Sequence, residues 1–326
     1  VWYPAKGREG FAAPLRIPMP KNDDLGPSFL LSRQGAHYHF ADMSGDGLSD
    51  VVRILNGSIS YWPNLGYGRF GPRIHMKGAP RFDSPDQFDP SRIRLADVDG
   101  SGPTDLIYIG PKGVRIWFNE AGNGWSAPAE LPHIPAAARP HDVQITDLLG
   151  EGTACLIWSA PFLHGRGRAL HFVKLMSEGK PWLMKQHDNG LGRSTTLLYT
   201  PSTHFYLADR RAGRPWATRL PFPVQCLSRV EHTDSVTGWQ RVETYAWHHG
   251  FFDGEEREFR GFGMVEHWDT ETVPGVAGPP PVRTRTWTHT GAWIPRRTLA
   301  AAFQEEFFDA PHLAAATRER LVAALV

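Results

Sequence analysis

The chain has 326 residues, of which 41% are hydrophobic and 21% are charged, a composition typical of a folded globular protein. Its 35 Lys and Arg residues nearly balance its 34 Asp and Glu residues, and the formal net charge of +1 excludes the basic excess expected of a nucleic-acid-binding protein. No apolar run approaches the roughly 20 residues of a membrane span, and no signal peptide is visible.

Frequent turn residues and aromatic residues predict an all-β fold. The chain has 33 Gly, 28 Pro, 12 Trp and 18 Phe residues, which favours many short strands joined by tight turns. Residues 1–30 open with "VWYPAKGREGF", a pattern similar to the ends of the repeats described next. We expect this segment to be the tail of a preceding repeat, and the chain to be a fragment.

Three related acidic loops follow along the chain, spaced by roughly 50 residues. They read "DMSGDGLSD" from Asp42, "DVDGSGPTD" from Asp97 and "DLLGEGTAC" from Asp147. Each precedes an apolar strand, a turn and a second strand, and Asn56-Gly57 predicts a type I′ hairpin turn. A multi-stranded repeat of this length is typical of a β-propeller blade. Residues 31–178 are therefore predicted to form three blades.

The pattern changes near Lys180. Residues 179–275 carry further strand-like runs, "STTLLYTPS", "QCLSRVEHTD", "QRVETYAWHH" and "FGMVEHWDTE". Residues 276–326 are predicted to hold a Pro/Gly linker, one strand, and a short C-terminal helix with an apolar face at Leu313, Leu321 and Leu325.

The acidic loops offer oxygen atoms with the alternating spacing that a calcium ion could use. In the first loop the candidate ligands are Asp42, Ser44, Asp46, Asp50 and the Leu48 carbonyl. In the second they are Asp97, Asp99, Ser101, Asp105 and the Pro103 carbonyl. The third loop has Leu149 and Cys155 at ligand positions, so we expect it to keep the turn and lose the ion.

A second interpretation of the same loops needs no metal. Asp side chains commonly accept hydrogen bonds from the backbone of their own turn. The sequence leaves calcium binding and turn capping both open. A catalytic acid cluster is the least favoured interpretation, because recurrence at a blade period indicates a structural role.

Other candidate sites have simpler structural explanations. The segment "AWHHGFFDGEEREF" contains His248, His249, Asp253 and three glutamates, which could bind a metal, but a turn with a solvated acidic edge is favoured. The basic run "ADRRAGRP" is predicted to be a solvated loop or a local source of ion pairs, rather than a phosphate site. Cys155 and Cys226 are predicted to be buried free thiols. No catalytic or phosphate-binding motif is present, so we expect no enzyme activity.

Long phrases of the chain resemble the B component of bacterial insecticidal toxin complexes, the TcdB/TcaC group, and the related SpvB-type N-terminal region. In the first half these phrases include "HFADMSGDGLSDVVRILNGSISYWPNLGYGRFGPR" and "FDSPDQFDPSRIRLADVDGSGPTDLIYIG". In the second half they include "YTPSTHFYLADRRAGRPWATRLPFPV" and "HHGFFDGEEREFRGFGMVEHWDTE". The resemblance covers nearly the whole chain, in order.

The resemblance implies a partial β-propeller of FG-GAP/VCBS-type blades, followed by the β-strand-rich start of an Rhs/YD-like shell. It implies a non-enzymatic assembly part of a secreted, extracellular toxin complex, made in the bacterial cytoplasm. The expected partners are the pore-forming A component, on which the propeller docks, and the Rhs-type C component, which completes the shell around the toxic enzyme.

Two other functions remain open from the sequence. The intact first and second loops could belong to a calcium-dependent adhesion or glycan-binding propeller. An enzyme working at the acidic loops or at His248 and His249 is the third hypothesis and the least favoured.

Overall fold

The computed structural model describes residues 1–17, 20–27, 37–111, 113–131, 143–159, 170–272 and 280–292, together with residues 315, 316 and 320. These residues belong to two compact units. The first is Val1–Leu149 with Thr153–Trp182, and the second is Gly150–Gly152 with Leu183–Val326. Within the described ranges, no helix combines the length and hydropathy that crossing a membrane requires. Most of the predicted linker, and Leu313, Leu321 and Leu325 of the predicted helix, lie outside the described residues.

The first unit consists of three antiparallel sheets, each built from consecutive strands. The first sheet contains β1 (His37–Ala41), β2 (Asp50–Leu55), β3 (Ser58–Trp62) and β4 (Ile74–His75). The second contains β5 (Ile93–Ala96), β6 (Asp105–Gly110), β7 (Gly113–Trp117) and β8 (Ala129–Leu131). The third contains β9 (Val143–Thr146), β10 (Cys155–Ser159) and β11 (Leu170–Lys174). The repeated acidic loop connects the first two strands of every sheet.

Each face of the second sheet contributes to a different hydrophobic core, because successive side chains of a strand point to opposite sides. On β6, Leu106 and Tyr108 join a core with β2 and β3 residues such as Val52 and Tyr61. Ile107 and its neighbours on the other face join a core with β9 and β10 residues. Consecutive sheets of the first unit therefore pack face to face.

The hairpin between β2 and β3 forms where the sequence predicts it, but the predicted turn type is wrong. Gly57 has a positive φ of 90°, whereas Asn56 is not among the described residues with positive φ, and a type I′ turn needs both. The Asn56 side chain instead binds the backbone of a following segment. It accepts the Phe82 N–H at 2.8 Å and donates to the Asp83 carbonyl at 2.8 Å.

The second unit contains a six-stranded antiparallel meander in chain order. Its strands are β12 (Gln186–Asp188), β13 (Arg193–Pro201), β14 (Gln225–Asp234), β15 (Gln240–Asp253), β16 (Glu258–Thr272) and β17 (Val282–Trp287). The strand predictions after residue 179 are therefore confirmed where the residues are described. The acidic "FDGEE" segment is a turn between β15 and β16, with Asp253 accepting the Glu255 N–H at 3.0 Å.

One helix, α1 (Ser202–Arg211), interrupts the meander between β13 and β14. Of the two predictions for "ADRRAGRP", the solvated loop is wrong for its first half, because α1 runs to Arg211. The ion-pair prediction is confirmed, because Arg214 lies 4.0 Å from Asp209. Asp209 of this helix is buried, and Arg210 and Arg211 stand at the C-terminal end, where positive charge is favourable. The prediction for the cysteines is confirmed, since both thiols are free and buried.

Candidate functional site: the acidic loops

The first acidic loop, between β1 and β2, is organised by the carboxylate of Asp42. Its oxygens accept the backbone N–H groups of Gly45 and Gly47, both at 2.7 Å. Asp46 in turn accepts the Leu48 N–H at 2.8 Å. These are the local turn bonds that Asp side chains commonly make. Three predicted ligands, Ser44, Asp46 and Leu48, lie exposed at the tip of the loop.

The last acid of the first loop, Asp50, joins the loop to the strand that follows. Asp50 is fully buried at the start of β2. One carboxylate oxygen accepts the Met43 N–H at 2.9 Å, and the other accepts the Asn64 N–H at 2.8 Å. Asp50 thus satisfies one donor at the start of its own loop and one just beyond the end of β3.

The second loop, between β5 and β6, repeats this arrangement at its last acid. Asp105 is buried, and its oxygens accept the Val98 N–H and the Asn119 N–H, both at 2.8 Å. Asn119 follows β7 as Asn64 follows β3. The phrases "YWPN" and "IWFN" carry these asparagines at the same repeat position. This repeated asparagine is a signal in the sequence for the second partner of the last acid.

Of the two remaining acids of the second loop, Asp97 is half-buried like Asp42, whereas Asp99 is buried. Asp97 accepts the N–H groups of Ser101 and Gly102, both at 3.0 Å. Asp99 is buried and accepts the Ser101 N–H at 2.9 Å and the indole N–H of Trp182 at 3.1 Å. Ser101 is exposed at the tip, and Pro103 is half-buried.

All three loops share one turn geometry. The fourth and sixth loop positions are glycines with positive φ in every copy, including 67° at Gly150 and 77° at Gly152 in the third. Other residues rarely adopt this backbone conformation. The third loop keeps the turn although buried Cys155 stands where the others have a carboxylate.

The second loop brings three carboxylates together, and it forms the one such acidic group found among the described residues. One oxygen each from Asp97, Asp99 and Asp105 lies within 4.8 Å of the others. Burial raises the pKa of Asp105 to about 7, against the lowering effect of its backbone hydrogen bonds, and the nearby Asp99 and Asp97 charges raise it further. A divalent cation would relieve this repulsion and is compatible with carboxylate oxygens.

His248 and His249 are both buried on β15, but they face different partners. The Nδ1 atom of His248 lies 2.6 Å from Asp209 of α1, and its Nε2 atom lies 3.7 Å from Glu266 of β16. His249 has a positive φ of 56° and accepts the Ala217 N–H at 3.0 Å. The two histidines do not converge on one site with the acidic turn at Asp253.

These features define the class as an all-β repeat protein, in which the same acidic turn joins the first two strands of each sheet of the first unit. The family described as the insecticide toxin TcdB middle/N-terminal region matches residues 119–291. This match covers more than half of the chain. The chain belongs to this TcdB family of insecticidal toxin proteins.

Solved structures of toxin complexes are similar to most of the chain. A Tc holotoxin pore from Photorhabdus luminescens matches 95% of this chain at 32% identity, with a TM-score of 0.77. A crystal structure of TcdB2-TccC3-Cdc42 matches 87% at 32% identity, with a TM-score of 0.75. TcdB2-TccC3 without its hypervariable C-terminal region matches 86% at 33% identity, with a TM-score of 0.74.

The chain is much shorter than these proteins, and it spans 14% of the matched holotoxin chain and 13% of each of the two crystal-structure chains. A comparison with curated protein sequences finds no match.

Proposed function

We propose that this chain is a non-enzymatic assembly part of a bacterial toxin complex. In this proposal the first unit belongs to a β-propeller that docks on the pore-forming component. The second unit begins the shell that encloses the toxic enzyme, and an Rhs-type component completes that shell. The observation that carries the proposal is the match to the holotoxin pore across 95% of the chain at 32% identity.

The build of the first unit supports the propeller assignment. Its three sheets have the same internal strand order and pack face to face through two successive cores. Hydrogen bonds also link successive acidic loops. Thr104 donates its N–H to the Asp42 carbonyl at 2.7 Å, and Ala154 donates to the Val98 carbonyl at 3.1 Å. A radial stack of blades needs such a repeated connection between neighbours.

The six-stranded meander supports the assignment of the second unit to the start of a shell. Among the described residues, its outermost strands are β12 and β17. The outermost strand of a sheet can pair with a further strand. In this proposal, later strands of the shell extend the sheet beyond β17.

Co-purification tests the proposed assembly role. The intact protein carrying this sequence is mixed with its cognate pore-forming component or with its cognate Rhs-type component, and each mixture is separated by size-exclusion chromatography. We expect a stable complex in each mixture. The variant Trp62→Ala, which disrupts the first sheet, is the matched control. It should weaken binding to the pore-forming component more than binding to the Rhs-type component. Failure of the correctly folded protein to bind either component would overturn the proposal.

A second proposal concerns calcium, and the three carboxylates of the second loop favour it. Asp97, Asp99 and Asp105 would bind the ion, and its charge would stabilise the turn. The first loop, with its exposed Asp46, is the weaker candidate of the two. Calcium-dependent adhesion or glycan binding is the alternative function that would share this site.

Titration calorimetry tests calcium binding, with Trp182 fluorescence as a second signal, because its indole N–H donates to Asp99. The variant Asp105→Asn should abolish the binding heat, whereas the matched Asp50→Asn in the first loop should leave it unchanged. No heat and no fluorescence change in the unaltered protein would exclude calcium. Heat accompanied by binding to an immobilised glycan array would favour the adhesion function instead.

A further inference from the structure

The imidazole of His248 lies between carboxylates that belong to two different elements. Asp209 comes from helix α1, and its Oδ2 atom is 2.6 Å from Nδ1 of His248. Glu266 comes from β16, and its Oε2 atom is 3.7 Å from Nε2, which is an ion-pair contact longer than a hydrogen bond. His248 and Asp209 are only 7% and 6% exposed, so little water can replace either contact.

This geometry suits a positively charged histidine. A neutral imidazole carries one N–H group and one lone pair, whereas the imidazolium carries an N–H group on both nitrogens. With a carboxylate on each side, the neutral ring must turn its lone pair toward one of them. Burial alone would lower the pKa of His248, but the hydrogen bond to Asp209 and the negative charges of Asp209 and Glu266 outweigh it and raise that pKa to about 9.

Other charged groups surround the two carboxylates rather than the histidine. Asp209 also accepts the indole N–H of Trp216 at 2.8 Å and lies 4.0 Å from Arg214, both in the turn after α1. Glu266 accepts hydrogen bonds from Arg283 at 2.5 Å and Arg285 at 2.7 Å, both on β17. The carboxylates therefore keep cationic or N–H partners when His248 loses its proton. What is lost is the link through His248 between helix α1 and the sheet.

The opposite end of α1 is anchored independently of this bridge. The Ser202 N–H donates to the Val224 carbonyl at 2.8 Å, and the Ser202 hydroxyl accepts the Val224 N–H at 3.0 Å. Neither group titrates in the accessible pH range. Loss of the bridge would therefore loosen the C-terminal half of the helix, which keeps its aromatic contact with the sheet through Tyr206, Trp216 and Phe262, and leave its start in place.

We propose that Asp209, His248 and Glu266 form an alkali-sensitive latch that holds the C-terminal half of α1 on the six-stranded sheet. In the closed state the pKa of His248 is about 9, so the imidazole stays charged up to about that pH. When the latch opens, the pKa of the released imidazole is near 6.5. The latch is therefore complete below pH 6.5 and weakens as the pH rises toward 9. Between these limits the equilibrium between open and closed states shifts about tenfold per pH unit.

Hydrogen exchange followed by mass spectrometry tests the latch on the intact protein between pH 6 and pH 9.5, with labelling times scaled to the intrinsic exchange rate. For the peptide spanning Tyr206 to Trp216, the equilibrium constant for opening should rise about tenfold per pH unit in the middle of this range. His248→Gln should make its opening independent of pH. The matched control His232→Gln, on β14, should leave the dependence unchanged.

The variant Glu266→Gln provides an independent test should His248→Gln fail to fold. Removing one of the two carboxylates should move the opening transition to lower pH. The proposal is overturned by a pH-independent opening in the unaltered protein, by an equal dependence in His248→Gln, or by an unchanged transition in Glu266→Gln.

Discussion

Replacing Asp50 by alanine should destabilise the first unit far more than replacing Asp42 by alanine, although both residues are acids of the same loop. Asp50 is fully buried and accepts two backbone N–H groups, from Met43 and Asn64. Leaving a buried donor without an acceptor costs about 1–3 kcal/mol, so Asp50→Ala, which leaves two, should cost about 2–6 kcal/mol. Burial also raises the pKa of Asp50, and removing its charge offsets part of that cost. We therefore expect the lower half of the range.

The bonds of Asp42 lie at the surface, where water can replace them. Asp42→Ala should accordingly cost about 1 kcal/mol. Asp50→Asn keeps one acceptor oxygen, so it should fall between the two alanine variants. Urea unfolding, followed in the absence of calcium, gives the three free energies of unfolding.

Equal costs for Asp42→Ala and Asp50→Ala would refute this reasoning. So would a cost at Asp50 that appears only when calcium is added, because the carboxylate would then act through an ion. Faster amide hydrogen exchange at Met43 and Asn64 in Asp50→Ala would identify directly the N–H groups that have lost their acceptor.

Three further outcomes follow from the same contacts. Trp62→Ala should cost about 3–5 kcal/mol in urea unfolding, because the side chain is fully buried. Asn56→Ala removes two hydrogen bonds to a neighbouring segment and should cost about 1–3 kcal/mol, whereas Asn123→Ala, at an exposed turn, should stay within about 0.5 kcal/mol. Calcium affinity at the second loop should rise with pH up to about 7 and then level off, because ion binding requires ionised Asp105, and calorimetry at several pH values measures this.

The repeat and its strands could be predicted from the sequence because their signals are local. Glycines at fixed loop positions, alternating apolar residues and a recurring spacing all act within one repeat. The range of β14, Gln225–Asp234, matches the predicted run "QCLSRVEHTD" residue for residue. The hairpin at Gly57 was also predicted, but the predicted turn type was wrong, because the side chain of Asn56 binds a segment about 26 residues away.

The parts that were missed depend on contacts distant in sequence. Asp209 reads as one charge in a basic run, and one of the partners that account for its burial, His248, lies 39 residues later in the chain. Helix α1 follows Pro201 directly and has no side-chain cap, so no start signal marks it. The function of the acidic loops stayed open for a different reason. Turn capping and calcium binding require the same residue types at the same positions.

The central claim is that the chain forms consecutive blades and the first shell strands of a toxin-complex protein. An electron cryo-microscopy structure of the intact protein tests it most directly. We expect the three sheets of the first unit to occupy adjacent places in a closed ring, and β17 to pair with a later strand of the shell. Three sheets outside any ring, or a β17 edge left unpaired, would contradict it.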